Sequence, residues 1–108
     1  MERITVFTPT YNRKSLSRVF ESLKRQTFRD FIWIIVDDGS TDDTKSLVEE
    51  FEKEADFKII YIYQENAGKH SAINRGLKET TSELFLIADS DDSFKENALE
   101  IFINTWES

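Results

Sequence analysis

The feature that most restricts the fold is an alternation between short apolar stretches and longer segments in which apolar residues recur at helical spacing. The apolar stretches are rich in β-branched and aromatic residues, which is typical of strands. We predict strands over residues 4–8, 31–36, 58–63 and 84–88. A helix is predicted after each strand: the first ends near Gln26, the second begins after 40–43, and the last two cover 68–79 and 98–106. This order predicts consecutive βα units over a parallel sheet.

The second apolar stretch, FIWIIV, has no alternation of apolar and polar residues, which indicates a strand buried on both faces. Because crossovers between parallel strands are right-handed, consecutive βα units place helices on both faces of the sheet. We therefore predict an α/β fold with a doubly wound, Rossmann-like, mostly parallel four-stranded sheet. A chain of 108 residues is large enough for one core, so residues 1–108 are predicted to form a single domain.

Composition excludes several classes of protein. A formal net charge of −7 is unfavourable for binding the phosphate backbone of a nucleic acid. The chain has no cysteine, which excludes disulfides and thiolate metal sites and agrees with a reducing cytoplasm. No apolar run approaches the ~20 residues of a membrane-spanning helix. We expect a soluble cytoplasmic protein, and docking to the inner face of a membrane stays open.

A cluster of polar residues follows each predicted strand. The clusters cover residues 8–12, 37–40, 64–69 and 89–92. In doubly wound sheets, ligands bind outside the carboxyl ends of the strands, at the point where the strand order reverses. We therefore expect the four clusters to line one crevice.

The fourth cluster contains Asp89, Asp91 and Asp92 directly after the apolar run ELFLIA. Carboxylates at this density repel one another unless a cation or hydrogen-bond donors lie among them. Oxygen ligands suit Mg²⁺ or Mn²⁺, and Mg²⁺ is usually held by one or two carboxylates together with substrate phosphates. In the alternative interpretation Asp92 or Ser93 caps the last helix, but capping accounts for only one of the acids.

The second cluster, residues 37–40, has two interpretations. It can form a turn, because Gly39 frees the backbone and the residues around it favour turns. Alternatively, one carboxylate accepts a hydrogen bond from a ring N–H of a nucleobase, and Tyr11 offers a flat face for stacking or lies at the edge of the core. Pro9 is predicted to fix the turn after the first strand.

The third cluster brings positive charge to an acidic chain. Lys69, His70 and Arg75 lie on or just before a predicted helix whose N-terminus is beside Gly68. A diphosphate would be stabilised by these charges and by the helix N-terminus. The alternative is that the cations are solvated and pair with nearby glutamates.

Four segments, FTPTYNR, IVDDGSTDDT, ENAGKHSAINRGL and IADSDD, resemble in this order the nucleotide-binding half of family 2 glycosyltransferases with the GT-A fold. The resemblance covers essentially the whole chain. It implies transfer of a sugar, with inversion, from a nucleoside-diphosphate sugar, commonly a UDP-sugar, to a sugar, polysaccharide or lipid-linked acceptor. It also implies a Mn²⁺ or Mg²⁺ ion that neutralises the departing diphosphate.

The resemblance also implies roles for individual residues. Thr8, Pro9 and Tyr11 would line the base pocket, where Asp38 would accept a hydrogen bond from the base with Asp37 in support. Asp89 would bind the ribose, and Asp91 would bind the metal, with Asp92 as an alternative ligand. Near the ribose or diphosphate would lie Gly68, Lys69 and Asn74. Ile73 departs from the family pattern, which often has an arginine at this position.

The catalytic domains of this family are much longer than this chain. The resemblance implies that the acceptor-binding region and the general base, usually a later Asp or Glu, lie in a further part of the domain. We therefore expect a truncated catalytic domain that binds the donor, with an exposed sheet edge through which two copies can pair as a homodimer. Two alternatives stay open, a phospho-accepting receiver domain that binds Mg²⁺ through clustered carboxylates, and a non-catalytic fragment.

Overall fold

The computed structural model describes residues 3–11, 16–41, 43–65, 74, 78, 84–88 and 94–107. One parallel sheet contains the strands β1 (Ile4–Thr10), β2 (Phe31–Asp38), β3 (Lys58–Gln64) and β4 (Leu84–Ile87). The helices with described bounds are α1 (Leu16–Lys24), α2 (Thr44–Glu54) and α3 (Ala98–Glu107). Within these ranges no helix is long and apolar enough to cross a membrane.

The strands are ordered β3-β2-β1-β4. The chain moves outward from β1 through β2 to β3, and then returns to the other side of β1 to form β4. This arrangement confirms the predicted α/β fold with a four-stranded parallel sheet. A receiver domain has the order 2-1-3-4-5, in which β3 lies beside β1. Here β3 lies beside β2, so the receiver alternative is wrong.

All three helices pack on one face of the sheet. Their buried residues form one cluster with strand residues from that face: Leu16, Val19, Phe20 and Leu23 of α1, Val48 and Phe51 of α2, Leu99 and Ile103 of α3, and Ile4, Val6, Phe31, Trp33 and Ile35 of β1 and β2. The Phe20 ring stacks on Phe51 with centroids 4.2 Å apart and on Trp33 at 6.3 Å. Such aromatic pairs contribute about 0.5–1.5 kcal/mol beyond area burial.

The opposite face has a smaller apolar cluster of Phe7, Ile32, Ile34 and Val36, with Ile60, Ile62 and Phe85 packed against it. Strand β2 is buried along all eight of its residues, which confirms that it lies between two covered faces. The predicted helix over 68–79 belongs to the connection from β3 to β4 and lies outside the described residues except at 74 and 78, which are both helical.

Strand β1 is longer than predicted, and Pro9 lies within it, paired with Val36, so the prediction that Pro9 fixes a turn is wrong. The Phe7 carbonyl accepts a hydrogen bond from the Ala88 N–H. The backbone N–H and C=O groups of Phe7, and of every second residue of β1 counted from it, therefore point toward β4. By this alternation the nitrogen of Pro9 faces β4 as well. Among the described residues, the pairing with β4 reaches Phe7 and Ile87, so the missing N–H of Pro9 removes no hydrogen bond from that part of the ladder.

The apolar spacing in the last helix predicts an inward stripe of Leu99, Phe102 and Trp106, and the structure turns a different stripe inward. Leu99 and Ile103 are buried, whereas Phe102 and Trp106 are 42% and 57% exposed. The prediction was right for Leu99 and wrong for the other two: of the positions that share a helix face with Leu99, Ile103 is the one that is buried, and Trp106 lies beyond it near the end of the helix. Several apolar positions of α3 therefore face outward.

Candidate functional site

The strand register places polar side chains of three strands in a row at the carboxyl end of the sheet. Thr10 of β1 pairs with Asp37 of β2, which in turn pairs with Tyr63 of β3. Asp38 pairs with Gln64 one step further along. Paired residues of parallel strands point to the same face, and neighbours along a strand alternate between faces. Asp37 therefore faces the helix-covered side, and Asp38 faces the opposite side.

Asp37 is held in place through both carboxylate oxygens. Oδ1 accepts a hydrogen bond of 2.9 Å from the backbone N–H of Ser40, and Oδ2 accepts one of 2.5 Å from the Tyr61 hydroxyl. The side chain closes a tight turn in which Gly39 has a φ of 85°, a left-handed conformation that favours glycine. The predicted turn is therefore present, and Asp37, which is 1% exposed, stabilises it.

Asp38 comes between Asp37 and the glycine of this turn and is 8% exposed. Its Oδ1 accepts a hydrogen bond of 2.9 Å from Nε2 of Gln64, so the neighbouring strand orients the carboxylate. A carboxylate is an acceptor only, with room for several donors on its two oxygens. This chemistry suits it to receive a ring N–H from a ligand.

The β1 residues of the predicted base pocket have different surroundings. Thr8 is fully buried, and its hydroxyl accepts a hydrogen bond of 2.9 Å from Trp33 Nε1, which commits it to the core. Pro9 is half-buried, and Tyr11 is 46% exposed at the end of the strand. Tyr11 therefore has a ring accessible for stacking.

A cavity of about 630 Å³ opens beside the Asp37 turn. It is lined by Asp37, Ser40, Lys45, Tyr61 and Tyr63. Its volume is within the range of small-molecule sites, which is roughly 300–1,000 Å³. Lys45 lies in the first turn of α2, where the helix dipole adds partial positive charge. The cavity therefore combines a carboxylate and hydroxyl groups with a positive charge at its edge.

The contributions of β3 and α2 to this region were not predicted from the sequence. Tyr61 and Tyr63 are two residues apart in a strand, so both rings face the same side as Asp37, and Gln64 faces Asp38. The available signal was the spacing YxYQ at the end of a predicted strand. Its meaning depends on the register between β2 and β3, which the sequence does not reveal.

Other predicted site residues, Gly68, Lys69, Asp89, Asp91 and Asp92, lie outside the described residues, and so do His70 and Arg75. Asn74 is helical and exposed. In the ranges that the structure does describe, no group of three or more His, Asp or Glu side chains could hold a metal ion. The predicted metal site therefore stays a prediction.

The comparison with known families decides the class of the protein. The sequence profile of "Glycosyl transferase family 2" matches residues 5–108. The chain belongs to glycosyltransferase family 2. The resemblance carried by the four motifs is thereby confirmed.

The chain is similar to a curated relative and to two solved structures. The glycosyltransferase GlyA of Streptococcus pneumoniae is 37% identical over 100 residues, which cover 92% of this chain and 14% of the relative. The crystal structure of S. aureus TarS 1–349 in complex with UDP superposes with a TM-score of 0.85 at 30% identity and covers 99% of this chain. The mannosyltransferase PcManGT from Pyrobaculum calidifontis, in complex with GDP-Man and Mn²⁺, has a TM-score of 0.79 at 32% identity over 85% of this chain.

These proteins are all much longer than this family 2 chain. It spans 14% of the length of GlyA, 32% of the TarS chain and 28% of the PcManGT chain.

Proposed function

We propose that this chain is the part of a family 2 glycosyltransferase catalytic domain that binds the nucleoside diphosphate of the sugar donor. The main observation in support is the arrangement at the carboxyl end of the sheet, where two buried carboxylates follow one strand and each is oriented by a residue of the next. Sites of doubly wound sheets lie at this end. The similarity to structures that contain UDP or GDP-Man adds support.

In this proposal Asp38 reads the base. Its carboxylate accepts a hydrogen bond from the ring N–H of uracil or guanine. Gln64 orients the carboxylate through its own hydrogen bond, and Asp37 keeps the turn closed. Cytosine has no ring N–H at the corresponding position, so the same carboxylate disfavours it. Tyr11 stacks against the base, and Thr8 and Pro9 form the strand end beneath it. A UDP-sugar is our preferred donor.

The proposed metal ligands are Asp91 and Asp92, with Asp89 on the ribose and Gly68, Lys69 and Asn74 near the ribose or diphosphate. The Ala88 N–H donates to the Phe7 carbonyl at 2.8 Å, so the last described residue before the acidic cluster lies beside β1. Carboxylate oxygens suit Mn²⁺ and Mg²⁺ equally well as donor atoms. When bound, either ion would neutralise charge on the departing diphosphate.

The rest of the reaction is proposed for the whole enzyme. Inverting transfer requires a general base that deprotonates the attacking hydroxyl of a sugar, polysaccharide or lipid-linked acceptor. We place the acceptor site and this base in the part of the catalytic domain that the longer relatives have in addition. The predicted homodimer through the edge strand stays a prediction.

Isothermal titration of the chain with UDP, GDP and CDP in the presence of Mn²⁺ tests donor binding. We expect saturable heat with UDP, and a loss of about 10- to 100-fold in affinity for Asp38→Asn, because a hydrogen bond to a charged group contributes ~1.5–3 kcal/mol. Asp30→Asn is the matched control, because Asp30 is exposed at the opposite end of the sheet. The proposal is wrong if no nucleoside diphosphate binds, or if both variants bind like the parent.

A further inference from the structure

Thr10 is buried at the end of β1 with its hydroxyl unsatisfied. The residue is 4% exposed, and within the described part of the chain its Oγ1 is a buried side-chain oxygen without a hydrogen-bond partner. Buried hydroxyl groups in native proteins are nearly always hydrogen-bonded, because burial removes their water and an unmade bond leaves that loss uncompensated. A bound ligand could supply the hydrogen-bond partner that this hydroxyl lacks.

Thr8 provides an internal comparison. It is two residues earlier in the same strand, so it faces the same side of the sheet, and it is fully buried. Its hydroxyl accepts a hydrogen bond from Trp33 Nε1 at 2.9 Å. The core therefore supplies a partner to one threonine of this strand and leaves the other without one.

The location of Thr10 indicates which partner is missing. It pairs with Asp37 across the sheet, but that carboxylate accepts from the Ser40 N–H and the Tyr61 hydroxyl and not from Thr10. The next residue in the chain is the exposed Tyr11. The hydroxyl thus lies at the strand end where a ligand of this sheet would bind, beside a carboxylate to which it does not donate.

We infer that Thr10 is a specificity-determining residue whose hydroxyl forms a hydrogen bond with the nucleoside part of the donor. A hydroxyl can both donate and accept, so it fits a carbonyl oxygen of the base or a hydroxyl of the ribose. The inference rests on the proposed function and deepens it, because it adds a polar contact from β1 to those proposed for Asp38. The hydroxyl then gains on binding the hydrogen bond that it lacks in the free chain.

The test is Thr10→Val, which replaces the hydroxyl by a methyl group of similar shape, with Thr8→Val as the matched comparison. We expect the melting temperature of the unliganded Thr10→Val chain to equal or exceed that of the parent, because no hydrogen bond is lost. Thr8→Val should lower it, because Trp33 Nε1 is left without its acceptor. We also expect Thr10→Val to bind UDP about tenfold more weakly with Mn²⁺ present, the size of one hydrogen bond.

Thr10→Ser serves as the rescue variant, since it keeps the hydroxyl, and it should bind UDP like the parent. The inference is overturned if Thr10→Val destabilises the unliganded chain as much as Thr8→Val, which would indicate a partner within the fold. It is also overturned if Thr10→Val binds UDP as tightly as a parent chain that does bind, and in that case the proposed function stands. A parent chain that binds no nucleoside diphosphate overturns both.

Discussion

The polar groups at the two ends of the sheet differ in how their hydrogen bonds are satisfied. At the amino end, around Gln26, Arg29 and Arg3, side chains satisfy one another and the backbone across several elements. At the carboxyl end, around Asp37 and Thr10, carboxylates are buried beside a cavity, and the Thr10 hydroxyl has no hydrogen-bond partner in the part of the chain that the structure describes. We propose that a ligand completes the second arrangement, whereas the first satisfies its polar groups within the fold. The difference separates the part of the molecule that stabilises the fold from the part that we expect to bind.

Gln26 illustrates the amino end. It is 2% exposed, and its amide makes three hydrogen bonds: Nε2 donates to the carbonyls of Ser22 and Lys95, and Oε1 accepts from the Leu99 N–H. Ser22 lies in α1, Lys95 lies three residues before α3, and Leu99 lies in the first turn of α3. One side chain thus fixes the position of the last helix relative to the first.

Arg29 extends the same pattern to the surface. Its Nη1 donates to the carbonyls of Leu23, Lys24 and Gln26, and its Nη2 forms an ion pair with Asp56. The guanidinium also lies 5.8 Å from the ring centroids of Phe31 and Phe57. A planar guanidinium can make these contacts together, whereas a lysine could not.

The largest effect on stability should come from Gln26→Leu. The substitution keeps the volume similar but leaves the Leu99 N–H buried without its acceptor, and it takes a donor from the carbonyls of Ser22 and Lys95, the second of which still accepts from the Ala98 N–H. A buried group that loses its hydrogen bond costs roughly 1–3 kcal/mol. We expect the free energy of unfolding, measured by urea denaturation, to fall by about 3 kcal/mol in total. Asn104→Leu, on the exposed side of α3, is the control and should change it little. An unchanged unfolding midpoint for Gln26→Leu would contradict the role given to this residue.

A smaller effect is expected for Tyr61→Phe at the carboxyl end. The variant removes the O–H that donates to Asp37 Oδ2, so a buried carboxylate loses one of its donors and the turn that carries Asp38 loosens. We expect a loss of about 1–2 kcal/mol in stability together with weaker UDP binding. Tyr63→Phe is the matched control, because its ring is 52% exposed in the same strand. Equal effects of the two variants on UDP binding would refute the assigned role of Tyr61.

The smallest effect belongs to the ion pair between Lys24 and Glu54, whose charged groups are 3.2 Å apart on the surface. Exposed pairs contribute about 0.2–1 kcal/mol and are screened by salt. Lys24→Ala should therefore lower the melting temperature slightly at low ionic strength and not at all in molar salt. A large, salt-independent loss would mean that Lys24 acts through packing on Phe20, which it overlies at 5.3 Å.

The sequence predicted the strands, their parallel pairing and the family, because strand composition, helical spacing and motif order are all local properties. It did not predict the inward stripe of α3, because Phe102 and Trp106 fit a helical face as well as Ile103 does, and only packing against α1 selects one. It also placed Pro9 in a turn. The structure instead places Pro9 within β1, paired with Val36 of β2, and the described pairing of β1 with β4 reaches only Phe7.

Within the candidate site, the carboxylates of Asp37 and Asp38 were found from their motif. Their supports, Tyr61 and Gln64, were not, since they come from a strand that is distant in sequence and their role depends on pairing register. Thr10 was passed over between Pro9 and Tyr11. A threonine in a strand is ordinary in sequence, and only its burial without a partner sets it apart.

The most direct test of the difference between the two ends is an NMR titration of the 12.7 kDa chain with UDP and Mg²⁺. Backbone amide shifts report where a ligand binds without assuming which residues contact it. We predict saturable shifts concentrated at residues 8–11, 37–40 and 61–65, while residues 27–31 and 56–58 at the amino end stay unchanged. Shifts centred on the amino end, or none at any UDP concentration, would contradict the assignment of binding to the carboxyl end.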